Sequence, residues 1–265
     1  MSGYDFFKYN APMKILIQIK AVFVSLFLLC FFLVPANLIA APFKLSRRLK
    51  ITAPAWQFCS NFLLRYALHT RVRIREDHRA PEFKGVPCSG LYVANHQSYI
   101  DIPLLTSCYQ APPIMKKELL YFLPVFGWMA WISGALPVSR SSMASRRKIF
   151  ERARKRVLVE NIGLQVYPEG TRSKKTVPKE FQEIKKTLLV WAFNEKIPVI
   201  PTSIYGTRGV LSSNGSININ KDVGIIVHGA LYPKDFPDAN SFAKAAWDQV
   251  VEGYYRMERE ITQMS

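Results

Sequence analysis

From Ala21 to Phe43 the chain carries no charged residue. About 20 consecutive apolar residues match the hydrocarbon core of a bilayer, so a run of this length must leave water along most of its surface. Lys8, Lys14 and Lys20 precede it, and Lys44, Arg47, Arg48 and Lys50 follow it. Signal cleavage is not expected. The leading segment is long for a signal peptide, and Leu38 and Ile39 stand where cleavage after Ala40 or Ala41 needs a small side chain. The run can span the membrane or fold as a hairpin that dips into one leaflet. The basic flanks are too evenly matched to set an orientation. Pro35 interrupts the helical hydrogen-bond ladder, which favours a hairpin broken there, with both basic flanks on one side. A buried helix of a soluble core is the remaining option, and it suits so long a run least.

The rest of the chain is strongly basic, with a formal net charge of +17 and a sequence pI near 9.8. That balance calls for an anionic partner: nucleic acid, an anionic membrane surface or acidic substrates. No RNA-reading signature or zinc-ligand spacing supports the first. Cys30, Cys59, Cys88 and Cys108 are scattered without a Cys-x-x-Cys pair, which reads as reduced thiols in an intracellular protein.

Past the apolar run, Trp56, Cys59, Phe62, Leu63 and Tyr66 recur at helical spacing between Thr52 and His69. Arg71 to Arg75 alternates as a half-solvated edge strand. Strands and helices then alternate to the end of the chain. Strands are expected at Leu91–Ala94, Pro113–Met115, Gly134–Val138, Leu164–Tyr167, Ile197–Ser203 and Val223–Leu231. Helices are expected at Pro103–Tyr109, from Ser141 or Ser142 to about Glu160, at Pro178–Lys196, and from Asp238 or Asn240 onward. Residues 207–220 read as a loop that can close over a site. This order argues for a single α/β domain with a mixed, largely buried β-sheet flanked by helices. It follows an N-terminal membrane-associating helical segment, with the boundary near residue 70. Leu119 to Ile132 concentrates Tyr121, Phe122, Phe126, Trp128 and Trp131; these pack in a core, line an apolar groove or dock into lipid. The basic run from Arg146 to Arg156 is a solvated face or a contact for anionic lipid. His228 has no carboxylate near it in sequence and reads as packing or surface.

Two stretches carry chemistry. Just past the strand at Leu91–Ala94 come Asn95, His96 and, five positions after the His, Asp101. A carboxylate one helical turn beyond a His can hold one imidazole nitrogen and leave the other as a base. The same spacing also suits a satisfied His and an Asp that only caps the next helix. The second stretch is Val166-Tyr167-Pro168-Glu169-Gly170-Thr171-Arg172-Ser173. Gly170 allows close backbone approach, Thr171 offers a hydroxyl, and Arg172 presents a planar fork suited to phosphate oxygens. Glu169 cannot bind phosphate directly; it orients Arg172 or another donor, or contacts a substrate hydroxyl.

Together these stretches resemble the glycerolipid acyltransferase family, best known from 1-acylglycerol-3-phosphate acyltransferases. Its four blocks have counterparts here in order: Asn95-His96-x4-Asp101, Gly134 to Arg140, Pro168 to Ser173, and Val199-Ile200-Pro201. The resemblance spans roughly Leu91 to Gly206. It departs from the family at Leu136-Pro137-Val138, where larger apolar residues are usual, and at Lys185-Lys186-Thr187, where relatives carry a Gly. The resemblance implies acyl transfer from a thioester of coenzyme A or acyl carrier protein to the sn-2 hydroxyl of lysophosphatidate. Its site would have His96 as base, Asp101 as its holder, and Arg140, Glu169, Gly170, Thr171 and Arg172 at the acceptor phosphate and glycerol. Backbone N–H groups near the His turn are candidates for the oxyanion donors. No metal or cofactor is implied. The partners implied are membrane lipids, the lysophosphatidate and the acyl donor, with no nucleic acid, and the location is a membrane with the catalytic domain on its cytoplasmic face. Another lyso-lipid acceptor is the nearest alternative, and a non-catalytic lipid-binding protein the more distant one.

Overall fold

The computed structural model of the chain describes residues 11–76, 89–109, 111–118, 124–139, 143–170, 172, 184, 186–212 and 214–263. In chain order the strands are β1 (Arg71–Glu76), β2 (Leu91–Ala94), β3 (Ile114–Lys116), β4 (Leu136–Val138), β5 (Leu164–Val166), β6 (Val199–Tyr205) and β7 (Asp222–Val227). The principal helices are α1 (Ala11–Leu28), α2 (Val34–Ala40), α3 (Leu45–Phe62), α4 (Asp101–Cys108), α5 (Pro124–Ile132), α6 (Met143–Arg154), α7 (Thr187–Asn194), the single turn α8 (Thr207–Val210) and α9 (Ala239–Gln263).

The five-stranded sheet has the order β1-β7-β6-β2-β5 and is mixed. β2 runs parallel to both β5 and β6, β1 is parallel to β7, and β6 meets β7 antiparallel. β3 and β4 pair separately, and a bridge from Pro113 to Gln165 joins that pair to the β5 edge. All four residues of β2 are fully buried, as a strand covered on both faces requires. Its side chains alternate between two cores. Tyr92 and Ala94 pack with Leu104 and Leu105 of α4, with Leu64 and Leu68, and with Ala21 of α1. Leu91 and Val93 pack with Ala153 of α6, Leu189 of α7 and Phe242 and Ala246 of α9. The expected α/β architecture is present, with β1 at the edge. The N-terminal helices end just before β1 but share the first core with the sheet.

The break expected at Pro35 is absent. A π-turn, Leu29–Leu33, joins α1 to α2, so the helix continues to Ala40 and the chain reverses at residues 41–44. The wider turn lies immediately ahead of the pyrrolidine ring, where an α-helix would clash and lose a bond. It also keeps the buried stripe in register. Ile17, Ala21 and Leu28 lie on the inner face, and the five-residue step across the π-turn returns Leu33, Asn37 and Ala40 to that face. The following helix, expected from Thr52, starts at Leu45 and carries Pro54 inside it.

Elsewhere the differences are local. Residues 207–220 are not wholly loop: Gly206 turns with φ +82°, α8 follows, and Leu211 bridges Ile217. A side chain at residue 206 would come within 2.3 Å of the Asp222 carbonyl oxygen, so only glycine fits. Asp238 caps α9, accepting the N–H groups of Asn240 and Ser241. Of the expected Pro178–Lys196 helix, α7 covers Thr187–Asn194, residues 184, 186, 195 and 196 are not helical, and residues 178–183 and 185 lie outside the described residues. The basic run of α6 and the turn after it is partly paired, through Arg154–Glu195 at 2.6 Å and Arg156–Glu160 at 3.3 Å. The first of these is exposed, and such pairs add little stability.

Candidate active site

β5, β2 and β6 lie side by side and run parallel, so their carboxyl ends open on one edge of the sheet. Crevices at such edges are where open α/β sheets bind ligands. The chain leaving each strand supplies one wall: Tyr167–Gly170 after β5, Asn95–Ile100 after β2, and Gly206–Val210 after β6.

Asn95 is fully buried and extends the β2–β6 ladder with its side chain. Its Nδ2 donates to the Ile204 carbonyl at 2.8 Å, and its Oδ1 accepts the Ile204 N–H at 2.8 Å. The backbone can therefore turn at the next residue without orphaning Ile204. His96 then presents Nδ1 2.8 Å from Oδ2 of Asp101, whose side chain has no exposed surface. The same Oδ2 accepts the N–H groups of Gln97 at 2.7 Å and Ser98 at 2.8 Å. Oδ1 accepts the Thr207 hydroxyl at 2.5 Å. Besides the imidazole, three donors and no acceptor among the described residues meet this carboxylate, the set that an ionised carboxylate satisfies. Nδ1 is then the protonated imidazole nitrogen, and Nε2 keeps its lone pair. Asp101 sits in the first turn of α4, but its bonds point back into the His turn. It holds His96 rather than capping the helix.

The imidazole is held on its face as well. The Tyr167 ring stacks on it with centroids 4.3 Å apart and planes 28° from parallel. Tyr167 donates to Gln165 Oε1 at 3.3 Å, and Gln165 donates to the Thr106 hydroxyl at 3.1 Å. The β5 turn closes through the Gly170 N–H on the Tyr167 carbonyl at 2.9 Å, with Gly170 at φ +74°, a conformation costly for any side chain. This turn brings Glu169 under the His turn, where its Oε1 accepts the His96 backbone N–H at 2.6 Å. Glu169 is 3% exposed, and its Oε2 is buried with no partner among the described residues. Burial pushes the Glu169 carboxyl up to about 8, and the neighbouring Asp101 charge adds to the rise. Arg172 lays its guanidinium over the Tyr99 ring, 4.0 Å from the centroid. The contact is a cation–π attraction, which does not use up the hydrogen-bond donors of the group.

Of the residues singled out from sequence, His96, Asp101, Glu169, Gly170 and Arg172 thus gather around two adjoining turns. Arg140 and Thr171 lie outside the described residues; β4 leads towards the former. The backbone donors suggested for an oxyanion must be sought elsewhere than at residues 96–98. The His96 N–H is held by Glu169, and those of Gln97 and Ser98 by Asp101. Sequence reasoning missed Thr207, Tyr167 and Asn95 as parts of the site. The available signal was positional, since each immediately follows the carboxyl end of a strand or its turn. His228 belongs to a different setting: its Nε2 is 2.9 Å from the hydroxyl of fully buried Ser203, which donates to the Val250 carbonyl. That pair is packing between the sheet and α9.

Comparison with known proteins places this geometry. A family model described as acyltransferase matches residues 71–205, which include the His96–Asp101 turn and the Tyr167–Gly170 turn and stop just short of Thr207. The chain is 32% identical over 148 residues to the chloroplastic 1-acyl-sn-glycerol-3-phosphate acyltransferase of Brassica napus, across 55% of this chain and 41% of that protein. It is 27% identical over 173 residues to the human 1-acyl-sn-glycerol-3-phosphate acyltransferase beta, across 61% and 58%. The chain thus spans only about two fifths to three fifths of these relatives. In overall fold it resembles the crystal structure of the 1-acyl-sn-glycerophosphate (LPA) acyltransferase from Thermotoga maritima. The TM-score is 0.77 at 22% identity, over 93% of this chain and 97% of that one.

Proposed function

The chain belongs to the acyltransferase family, and from that premise we propose that it moves a fatty acyl group from an acyl thioester to the sn-2 hydroxyl of lysophosphatidate, forming phosphatidate. The observation that carries this reading is the His96–Asp101 pair at 2.8 Å, with Asp101 buried and bonded by three further donors beside the Glu169–Gly170 turn.

In this reading the substrate hydroxyl is the nucleophile, so the chain itself need not supply one. The oxygen attacks the thioester carbonyl carbon while Nε2 of His96 takes its proton. Asp101 holds Nδ1–H and stabilises the imidazolium that results, a role related to the Asp of a serine-hydrolase triad. The tetrahedral intermediate collapses with cleavage of the carbon–sulfur bond, and the proton on Nε2 passes to the departing thiolate. Arg172, held over Tyr99, offers N–H groups to the acceptor phosphate, and Arg140 is proposed as its partner. The donor is acyl-coenzyme A or acyl carrier protein, either of which suits the positive charge of the chain. Membrane association, with the site on the cytoplasmic face, gives access to a lipid acceptor.

Thiol release from palmitoyl-coenzyme A in mixed micelles, with and without lysophosphatidate, tests the proposal. Acceptor-dependent release in the wild type, reduced at least about 1,000-fold in His96→Ala and by about 100-fold or more in Asp101→Asn, is the expected result. No release from any thioester with any lyso-lipid would sink the reading. A competition among acceptors decides between lysophosphatidate and another lyso-lipid.

A further inference from the structure

Two carboxyl groups meet at the His turn, and their surroundings differ sharply. Asp101 receives four hydrogen bonds. Glu169 receives one, from the His96 backbone N–H, and its second oxygen is buried without a donor among the described residues. An ionised carboxylate in a dry site needs donors on both oxygens, and an unmet one is costly. A neutral acid leaves its hydroxyl unmet there too, but an unpaired neutral group in a dry site costs far less than an unpaired charge. We propose that Glu169 is a positioning residue that works as a neutral acid: its carbonyl oxygen holds the His96 main chain, and its lack of charge keeps the site free of a second anion.

The inference rests on the acyl-transfer reading for its consequence. Both the acceptor phosphate and the oxyanion of the intermediate are negative, and a charged Glu169 would repel them. The titratable and charged groups of the turns that meet here are the His96 imidazole, the Asp101 carboxylate, the Tyr167 phenol stacked on the imidazole, and Arg172 over Tyr99. None of them donates a bond to Glu169 Oε2. Two neighbouring carboxyls in unlike surroundings can take separate roles. Here Asp101 is the anion, and Glu169 is the group kept neutral.

Glu169→Gln preserves shape, neutrality and an oxygen for the His96 N–H; Glu169→Ala preserves none of the bonding. Three measurements test the proposal together. In acceptor-dependent thiol release at pH 7, kcat/KM is expected to fall no more than about tenfold in Glu169→Gln and at least about 100-fold in Glu169→Ala. Wild-type activity is expected to decline as pH rises through about 8, where the acid ionises, relative to Glu169→Gln. The acceptor's own ionisation is common to both enzymes and cancels in their ratio. Thermal unfolding supplies a readout independent of catalysis. A buried acid with a raised pKa loses stability as pH climbs from the ordinary Glu value towards about 8. Glu169→Gln should therefore melt near wild type at pH 4 and above it at pH 7.5.

A Glu169→Gln enzyme as impaired as Glu169→Ala, or wild-type activity that rises relative to Glu169→Gln through pH 8, overturns the proposal. So does a melting difference that is the same at both pH values. If Glu169→Ala does not fold, the Gln comparison still decides. Absence of turnover in the wild type would instead count against the acyl-transfer reading, and the melting series would still report the charge on Glu169.

Discussion

Thr207 and Asp101 lie 106 positions apart, yet the Thr207 hydroxyl is the only side-chain hydroxyl donor to the carboxylate that holds His96 among the described residues. The pairing exists because β6 and β2 run parallel and Gly206 turns the chain inward at the end of β6. Thr207→Val keeps the shape and removes the donor, leaving Oδ1 buried and unmet at a cost of about 1–3 kcal/mol. The expected outcome is a drop in kcat of about tenfold or more with KM for the thioester little changed, largely restored by Thr207→Ser. Steady-state kinetics on the two variants would check it, and a Thr207→Val enzyme with wild-type turnover would reduce Thr207 to a space-filler. The residues of the site that were legible in sequence are those close together along the chain. His96 and Asp101 are five positions apart, and Glu169, Gly170 and Arg172 share one turn. Thr207, and the backbone of Ile204 that Asn95 grips from 109 positions away, become neighbours only through strand order. No local spacing encodes that.

At the scale of elements, apolar runs located the strands well, because a strand buried on both faces must be apolar throughout. What the runs did not encode was the route of the helix through Pro35. A π-turn is one extra residue in the ladder, and only the partner of the inner stripe reveals that it is needed. That partner is partly polar. Trp56 Nε1 of α3 donates to the Ser133 hydroxyl at 2.6 Å, Ser133 donates to Asn37 Oδ1 at 2.8 Å, and Asn37 donates to the Leu33 carbonyl at 2.8 Å. The chain links α2, α3 and the end of α5, and Asn37 is fully buried within it. In so apolar a setting an unmet hydroxyl or indole N–H has no water to turn to. Asn37→Ala is therefore expected to lower unfolding stability in detergent by about 1–2 kcal/mol. Ser133→Ala should cost a similar amount, and the double variant clearly less than the sum. Denaturant titrations on the three proteins measure this coupling; simple additivity would mean that the chain of bonds holds nothing together.

For the molecule as a whole, the decisive contrast is between the two faces of the N-terminal helix. Lys20 Nζ lies 2.9 Å from His69 Nε2, next to the start of β1, and Asn37 meets Ser133 beyond α5. The helix is therefore fastened to the domain at two points about 25 Å apart along its axis. Between them Ala21 enters the same core as Tyr92 and Ile200. A helix that crosses a bilayer alone meets lipid all around, whereas this one has a face occupied by protein along that length. Its other face is apolar and open: Phe23 is 71% exposed, Phe31 67%, and Ile15, Ile19, Phe27 and Leu38 share the surface. Trp128 and Trp131 of α5 are open as well, side chains of the kind that settle at headgroup level. This arrangement fits a domain that lies on one leaflet with the helix sunk partway, its net charge of +17 adding attraction to anionic lipid. Replacing Phe23, Phe27 and Phe31 together by Ser removes three side chains that each gain about 1.5–3 kcal/mol on full burial. Flotation with phosphatidylglycerol-containing vesicles should then fall more than about tenfold, while melting temperature stays close to wild type because none of the three is buried in the protein. Wild-type flotation should weaken as salt rises, since charges at the surface are screened. A triple variant that floats as well as wild type would mean that the membrane is held by another surface. A spanning helix would in turn have to shed the contacts at Lys20 and Asn37, and crosslinks placed there would fail to form in vesicles.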